Sequence, residues 1–305
     1  MSHDRPTLGI LLMLGFCVVA PMGDAAAKLA GAHVGPAQLV FVRFAIQVVI
    51  LAPIIWATAR SWRMPKGSMC WVLARTVLHV LGIAMMVTAL QYLPLADAVA
   101  IAFVMPFIML VLGHFVLGEE VGIRRLMACI VGFAGTLMVV QPAFQEVGYW
   151  ALLPIGVAIN FAFFMLITRQ IAKDVDPISM QAVSGVWACV LMAPVLLFLG
   201  DAGIAALQWQ AVGPDVWGML ACLGLFGTIG HLMMTWSLRY APSATVAPMQ
   251  YLEIPFATLI GLAVFGDFPN RLALVGIAIT LLAGVYIVLR EERLRRLEAV
   301  PPAAP

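Results

Sequence analysis

The chain has 305 residues, of which 63% are hydrophobic and only 10% charged, with a formal net charge of +2 and a mean hydropathy of +1.03. Soluble domains are roughly 45–50% apolar and about 25% charged. This chain therefore cannot cover itself with polar groups, which excludes a soluble globular protein and makes the lipid bilayer its main partner.

Spans of about 20 apolar residues recur along the whole length. In order they are Leu8–Lys28, Pro36–Ala57, Cys70–Tyr92, Leu95–Leu117, Arg124–Gln141, Gly148–Arg169, Pro177–Gly200, Pro214–Leu238, Ser243–Phe265 and Asn270–Arg290. The connections are too short to hide a soluble domain. The first span has the look of a cleaved leader with Ala25–Ala27 as its processing site, but the preceding segment carries one Arg offset by one Asp, and a real first helix is expected. That helix carries Pro21, Asp24 and Lys28. The last two are spaced i,i+4, so they share a face and can pair. The second span carries Arg43, about 10 Å in from its start at 1.5 Å per residue, which places Asp24, Lys28 and Arg43 at similar depth. Arg75 and His79 follow on the third span, and Pro106, His114 and the Glu119–Glu120 end on the fourth. A Gln-Pro loop, Gln141–Val147, is expected to separate two halves. Asn160 lies on the sixth span. The eighth has Gly224, Gly227 and Gly230 followed by His231. The ninth packs Pro248, Gln250, Tyr251, Glu253 and Pro255 into eight residues.

The charges are sorted by side. Arg5, Arg60–Lys66, Arg124–Arg125, Arg169–Lys173, Arg239 and Arg290–Arg296 fall on connections sharing the N-terminal side, and the opposite side holds only Lys28 and Arg271. The positive-inside rule makes the first side cytoplasmic, with both termini there. Arginine pairs such as Arg60 and Arg63 are thus read as topology determinants, and no nucleic-acid partner is expected. Cys17, Cys70, Cys129, Cys189 and Cys222 are scattered singly, so neither a disulfide framework nor a metal site is expected.

One stretch occurs twice. Ala89–Val140 matches Ser237–Val288 at a shift of 148 positions: Leu90 meets Leu238, Tyr92 meets Tyr240, Pro94 meets Pro242, Gly118 meets Gly266 and Glu119 meets Asp267, with Pro106 against Pro255 one residue out of step. This is an internal duplication. Each unit holds five spans, an odd number, so the second must cross in the opposite sense. The expected fold is all-α and polytopic, with ten transmembrane helices as two inverted five-helix repeats at residues 1–143 and 144–291, and a cytoplasmic tail at 292–305. Inverted repeats with matching Pro-interrupted helices (here Pro21, Pro106, Pro248 and Pro255 are the breakers) are a signature of secondary carriers whose site lies near the midplane.

These motifs resemble the drug/metabolite transporter superfamily, in its EamA type with five plus five spans. The likeness covers residues 8–290. It rests on Leu90-x-Tyr92-x-Pro94, on Pro106 with Gly118-Glu119, on the second copy at Pro242, Pro255 and Gly266-Asp267, and on Arg43-Phe44. Asp24-Ala-Ala-Ala-Lys28 with Arg43 is similar to the branch containing S-adenosylmethionine and riboflavin uptake carriers. The resemblance implies a carrier of small organic metabolites.

The residues themselves leave structural and functional readings open side by side. Glu253, near mid-membrane, either lines a cavity and takes up a proton or cationic group, or is a hydrogen-bonded acid fixing a kink. A charge there costs roughly 2.5–3.5 kcal/mol on insertion scales. Asp24, Lys28 and Arg43 either bind a zwitterion or organic anion at the outer mouth or form a structural ion cluster. Gln250, Tyr251, Asn160, His79 and His231 are further cavity candidates. The leading function is a secondary transporter of a small polar metabolite working by alternating access, with protons as one candidate coupling ion and no cofactor. An intramembrane enzyme and a non-transporting receptor or assembly subunit are the alternatives. No HExxH, GxSxG or GxxxxGK[ST] is present to support enzyme chemistry or ATP drive. Substrate, direction and a monomer-or-homodimer choice stay open.

Overall fold

The computed structural model describes residues 5–117, 122–200 and 203–298. Within them the chain is helical throughout: α1 (Pro6–Gly31), α2 (Pro36–Ala57), α3 (Ser68–Leu90), α4 (Leu95–Ala102), α5 (Met105–Leu117), α6 (Ile123–Val147), α7 (Leu153–Ile171), α8 (Pro177–Leu199), α9 (Pro214–Tyr240), α10 (Ser243–Val246), α11 (Glu253–Phe265) and α12 (Arg271–Glu298). In lipid every backbone N–H and C=O must be satisfied within the protein, and a helix does this within one segment. The apolar runs therefore have little choice. Their ends are marked by familiar chemistry. Proline opens α1, α2, α8 and α9, where its missing donor costs nothing. The Asp176 carboxylate accepts from the Ser179 N–H to cap α8. Gly266, at φ +70°, closes α11 in the left-handed conformation that glycine adopts without strain.

Two spans expected to be continuous are broken at matching places. The fourth stops at Ala102 and restarts at Met105. Pro106 is then the second residue of α5, where no helical donor is lost; an unbroken helix would have forfeited its bond to Ala102. The ninth winds through α10 and a tighter 3₁₀ stretch, Ala247–Leu252, before α11 begins at Glu253. Pro248 stands near the start of the 3₁₀ stretch, and Pro255 falls in the first turn of α11, where the N–H groups lack intrahelical partners anyway. Pro21, by contrast, sits inside α1.

The expected loop at Gln141–Val147 is not a loop. Helix α6 runs through those positions to Val147, and a 3₁₀ turn, Gly148–Leu152, leads into α7. One missing proline donor is a smaller loss than unwinding several residues whose polar groups must then find new partners.

Helices α1 and α9 pack antiparallel: Gly9 lies against Ala241 and Ser237, and Gly23 against Phe226 and Gly227. Their counterparts α7 and α3 pack the same way, with Gly82 against Asn160 and Gly156 against Met85. Where a span touches its own counterpart, the two run in opposite senses. Helix α2 meets α8 with Gln47 donating to the Gln181 carbonyl and Phe44 beside Gly185. Helix α6 meets α12 with Gly135 against Gly276 and Thr280, while Arg124–Val131 lies beside Ile279–Tyr286. Those crossings are what an inverted pair of five-helix units produces.

One face of the molecule gathers Arg5, whose N–H donates to the Tyr240 carbonyl, Arg60, paired with Asp176, and Arg169 and Arg239, which donate to the Leu238 and Val175 carbonyls. Lys28, Leu93 and Asp267 meet on the opposite face. There the connection after α8 is strapped onto α2 by a reciprocal pair, Gln38 Nε2 to the Gln210 carbonyl at 2.9 Å and Gln210 N–H to Gln38 Oε1 at 2.8 Å.

Candidate functional site

The breaks in the fourth and ninth spans flank a cavity of about 100 Å³, mostly apolar, whose walls include Phe16, Asp24, Phe103, Phe161, His231 and Glu253. Its helices are α1, α3, α4–α5, α7, α9 and α11, which are three pairs of counterparts: first with sixth span, third with eighth, fourth with ninth. A smaller cavity of about 50 Å³ continues from it, sharing Asp24, Met86 and His231 and adding Arg43, Gly227 and Gly230.

Glu253 is the first residue of α11 and is 9% exposed. A helix N-terminus carries partial positive charge, so the restart of the ninth span presents a favourable dipole where this carboxyl sits. Asp24 stands across on α1. Among the described residues neither carboxylate receives a hydrogen bond from the protein, and neither is within 4 Å of a basic nitrogen; the ion pairs found are Lys28–Asp267 and Arg60–Asp176.

Arg43 is 2% exposed. Its Nη2 lies 3.0 Å from His231 Nδ1, 3.4 Å from His79 Nε2 and 3.4 Å from the Gly227 carbonyl, while Nη1 has no partner. The two imidazoles are 4.2 Å apart, centroid to centroid. Residues drawn from α2, α3 and α9 thus form one buried cluster. Glycine at 227 makes it possible, since a Cβ there would lie 2.8 Å from Arg43 Nε.

Deeper towards the arginine-rich face, Arg75 is wholly buried. It donates to Thr168 Oγ1 at 2.8 Å, Gln181 Oε1 at 2.8 Å and Ser184 Oγ at 3.1 Å, and its guanidinium lies over the Phe164 ring at 4.4 Å. A first-half arginine therefore ties together α7 and α8 of the second half using neutral acceptors alone.

The other candidates separate. Lys28 does not pair with Asp24. It turns to the opposite face, 3.1 Å from Asp267 and 3.1 Å from the Leu93 carbonyl, with its ammonium 4.7 Å over the Phe265 ring. A long side chain near a helix end reaches for the interface and a partner there, so the anticipated Asp24–Lys28 pair is replaced by one joining the two halves. Asn160 donates to the Leu78 carbonyl at 2.7 Å, tying α7 to α3. Gln250 lies in the 3₁₀ stretch that leads into Glu253 and is buried, with Nε2 3.3 Å from Met165 Sδ. Tyr251 is buried against Phe103 and Gly132. Neither lines the two cavities. Gly118, Glu119 and Glu120 lie outside the described residues, as do the side chains of Pro106 and Pro248. The sequence set Arg75 and His79 at i,i+4 on one span and offered His79 and His231 as cavity candidates on different spans. Their convergence depends on tertiary crossings, and the only local hint was the Arg75–His79 spacing.

Known proteins give this arrangement a context. The profile of the EamA-like transporter family matches twice, over residues 7–141 and 148–290. The riboflavin transporter of Vibrio cholerae is 26% identical over 96% of this chain and 97% of its own length. The riboflavin transporter of Rhizobium johnstonii is 30% identical over 73% and 72%. The S-adenosylmethionine uptake transporter of Rickettsia bellii is 23% identical over 94% and 95%. A solved protein crystal structure superimposes with a TM-score of 0.65 at 18% identity, covering 92% of this chain and 97% of that one; it supports the fold. The relatives' names are those of transporters, not enzymes. This chain is accordingly an integral, plasma-membrane transporter of a small metabolite, and it belongs to the EamA-like transporter family.

Proposed function

We propose that the protein carries a polar organic metabolite by alternating access, the two five-helix units rocking about the cavity between them, with both termini in the cytoplasm. The observation that supports this most is the make-up of the cavity wall: three pairs of counterpart helices, one pair broken where the wall forms, enclosing two carboxylates without protein partners among the described residues. Exchange of roles between counterpart helices opens the same cavity to either side. The sorting of arginines onto one face supports the orientation.

Glu253 is the group best placed for proton coupling. A carboxylate in an apolar wall needs a proton, a cationic cargo group or a water path to offset its desolvation, and taking these in turn is how a carrier couples them. The named cargoes of the relatives, riboflavin and S-adenosylmethionine, set the size range to be tested. The direct experiment uses purified protein in proteoliposomes preloaded with either compound, following entry of the labelled form by exchange. Exchange above that of empty liposomes is expected for at least one cargo in this class. Its absence across amino acids, nucleosides, vitamins and amines, with folded protein in the bilayer, would refute the carrier reading.

A further inference from the structure

We infer that the furrow between α6 and α12 binds one anionic phospholipid of the leaflet on the arginine-rich side, its phosphate on Arg124 and an acyl chain lying along the furrow. The furrow shares no residue with the two central cavities, so the inference does not depend on what the protein carries.

The furrow follows from the sequence of both helices. On α6, Arg124, Met127, Ala128 and Val131 recur at i, i+3, i+4 and i+7; on α12, Ile279, Leu282, Ala283 and Tyr286 do the same. Residues so spaced form one stripe on a helix face. The two stripes lie side by side and enclose about 490 Å³. Ala128 and Ala283, each 6% exposed, make the floor, and the exposed side chains of Met127, Val131, Leu282 and Tyr286 rise around it. An unfilled gap among apolar groups forfeits dispersion contacts, and in lipid an acyl chain is the group at hand to supply them. From Arg124 to Val131 the furrow runs about 10 Å at 1.5 Å per residue, most of the roughly 15 Å that half the hydrocarbon core measures.

Charge selects the headgroup. Of the residues lining the furrow the one charged is Arg124, and none is acidic. Arg124 is exposed and belongs to neither ion pair found among the described residues. Contacts of Gly132 with Thr280 and of Gly135 with Gly276 set the antiparallel register, which puts Arg124 level with the part of α12 just beyond Tyr286. There the α12 stripe continues through Arg290 and Arg293, while Glu291, Glu292 and Glu298 fall on other sides of the helix at 100° per residue. Basic residues beside a membrane surface attract anionic lipids, and a guanidinium gives phosphate oxygens charge-assisted hydrogen bonds. A zwitterionic lipid offers the same phosphate but brings a cation into basic surroundings. A second copy of this chain fits less well. Two-fold pairing joins the same patch of each copy, and with both copies oriented alike it would set Arg124, Arg290 and Arg293 against their own counterparts.

The test titrates full-length wild-type protein in detergent with phosphatidylglycerol or phosphatidylcholine of identical chains. Native mass spectrometry counts the bound lipids and gives the oligomeric state in the same spectra. Phosphatidylglycerol is expected to bind at least about fivefold more tightly, the effect of one arginine near a membrane surface. Arg124→Gln should abolish that preference. Arg63→Gln, at an exposed arginine on the same face but outside the furrow, should keep it. Ala128→Phe, which fills the floor, should weaken both lipids; if it does not fold, the two arginine variants still decide. Equal affinity for both lipids in the wild type, or equal loss of preference in Arg124→Gln and Arg63→Gln, would overturn the site. A wild-type dimer that Ala128→Phe splits into monomers would give the furrow to a second copy and overturn it as well.

Discussion

Lys28 of α1 and Asp267, 239 residues further along, meet at 3.1 Å and so pin the first helix of one half to the end of α11 in the other. Asp267 stands where the first repeat has Glu119, so the acid that closes the second copy of the duplicated stretch has a definite partner. The Arg60–Asp176 pair joins the halves on the arginine-rich face. Among the described residues each face thus carries an ion pair between halves, and the proposed rocking of the halves would strain one or the other.

The Lys28–Asp267 pair should matter more to transport than to stability. Its side chains are 20% and 36% exposed, and such pairs contribute about 0–1 kcal/mol. Asp267→Asn is expected to lower the melting temperature by a degree or two at most while changing the exchange rate several-fold. Thermal unfolding and liposome exchange on the same preparation check this; a large stability loss with an unaltered rate would contradict it.

Arg75 should behave in the opposite way. It makes four side-chain hydrogen bonds, all buried, three to α7 and α8 and a longer one to Thr235 of α9. Truncation removes them and leaves their acceptors unpaired, for a cost of about 3–5 kcal/mol. Arg75→Ala is expected to reduce folded yield severely, and Arg75→Lys to rescue it poorly, because an ammonium cannot reproduce the planar fork. Size-exclusion profiles of the tagged variants in detergent give the readout.

Close helix contact at Gly135 is equally testable. A Cβ there would lie 2.7 Å from the Gly276 carbonyl and 2.5 Å from Thr280 Oγ1, so α6 and α12 would have to separate. Gly135→Val should cost about 1–3 kcal/mol through overpacking. Gly218→Ala, where nothing lies within 4 Å, should be silent. Comparing the two melting temperatures isolates the contact from the general effect of replacing glycine.

Glu253→Gln keeps the shape of the cavity wall and removes the titratable group. If Glu253 moves the proton, the variant should still exchange labelled for unlabelled cargo but lose accumulation driven by a pH gradient. Retention of gradient-driven accumulation at the wild-type level would remove Glu253 from that role.

Much of the fold was legible in the sequence because lipid leaves few options. Apolar length set the spans, and arginine sorting separated the faces. The shift that aligns Leu90 with Leu238 and Pro94 with Pro242 showed the duplication. The breaks were harder to place. Pro106 marks a restart rather than a kink, so the fourth span is interrupted before it, and the ninth passes through a 3₁₀ stretch carrying Pro248, Gln250 and Tyr251 before α11 begins at Glu253. Pro142 misled in the other direction, because a single proline does not end a helix that has no water to turn to. At the site, Asp24, Glu253 and Arg43 stood out as charges in apolar runs. That Lys28 would leave Asp24 for Asp267, and that His79 and His231 would close on Arg43, depends on how α1, α2, α3 and α9 cross, which no single helix encodes.

The alternating-access account is tested most directly by a reversible lock across the Lys28–Asp267 contact. In a background with the five native cysteines replaced by serine, Lys28→Cys and Asp267→Cys together are oxidised in proteoliposomes, and labelled cargo exchange is measured before and after reduction. The account predicts that the cross-linked protein stops exchanging cargo and that reduction restores the rate, with neither single-cysteine variant responding to oxidant. Undiminished exchange by protein shown to be fully cross-linked would contradict it.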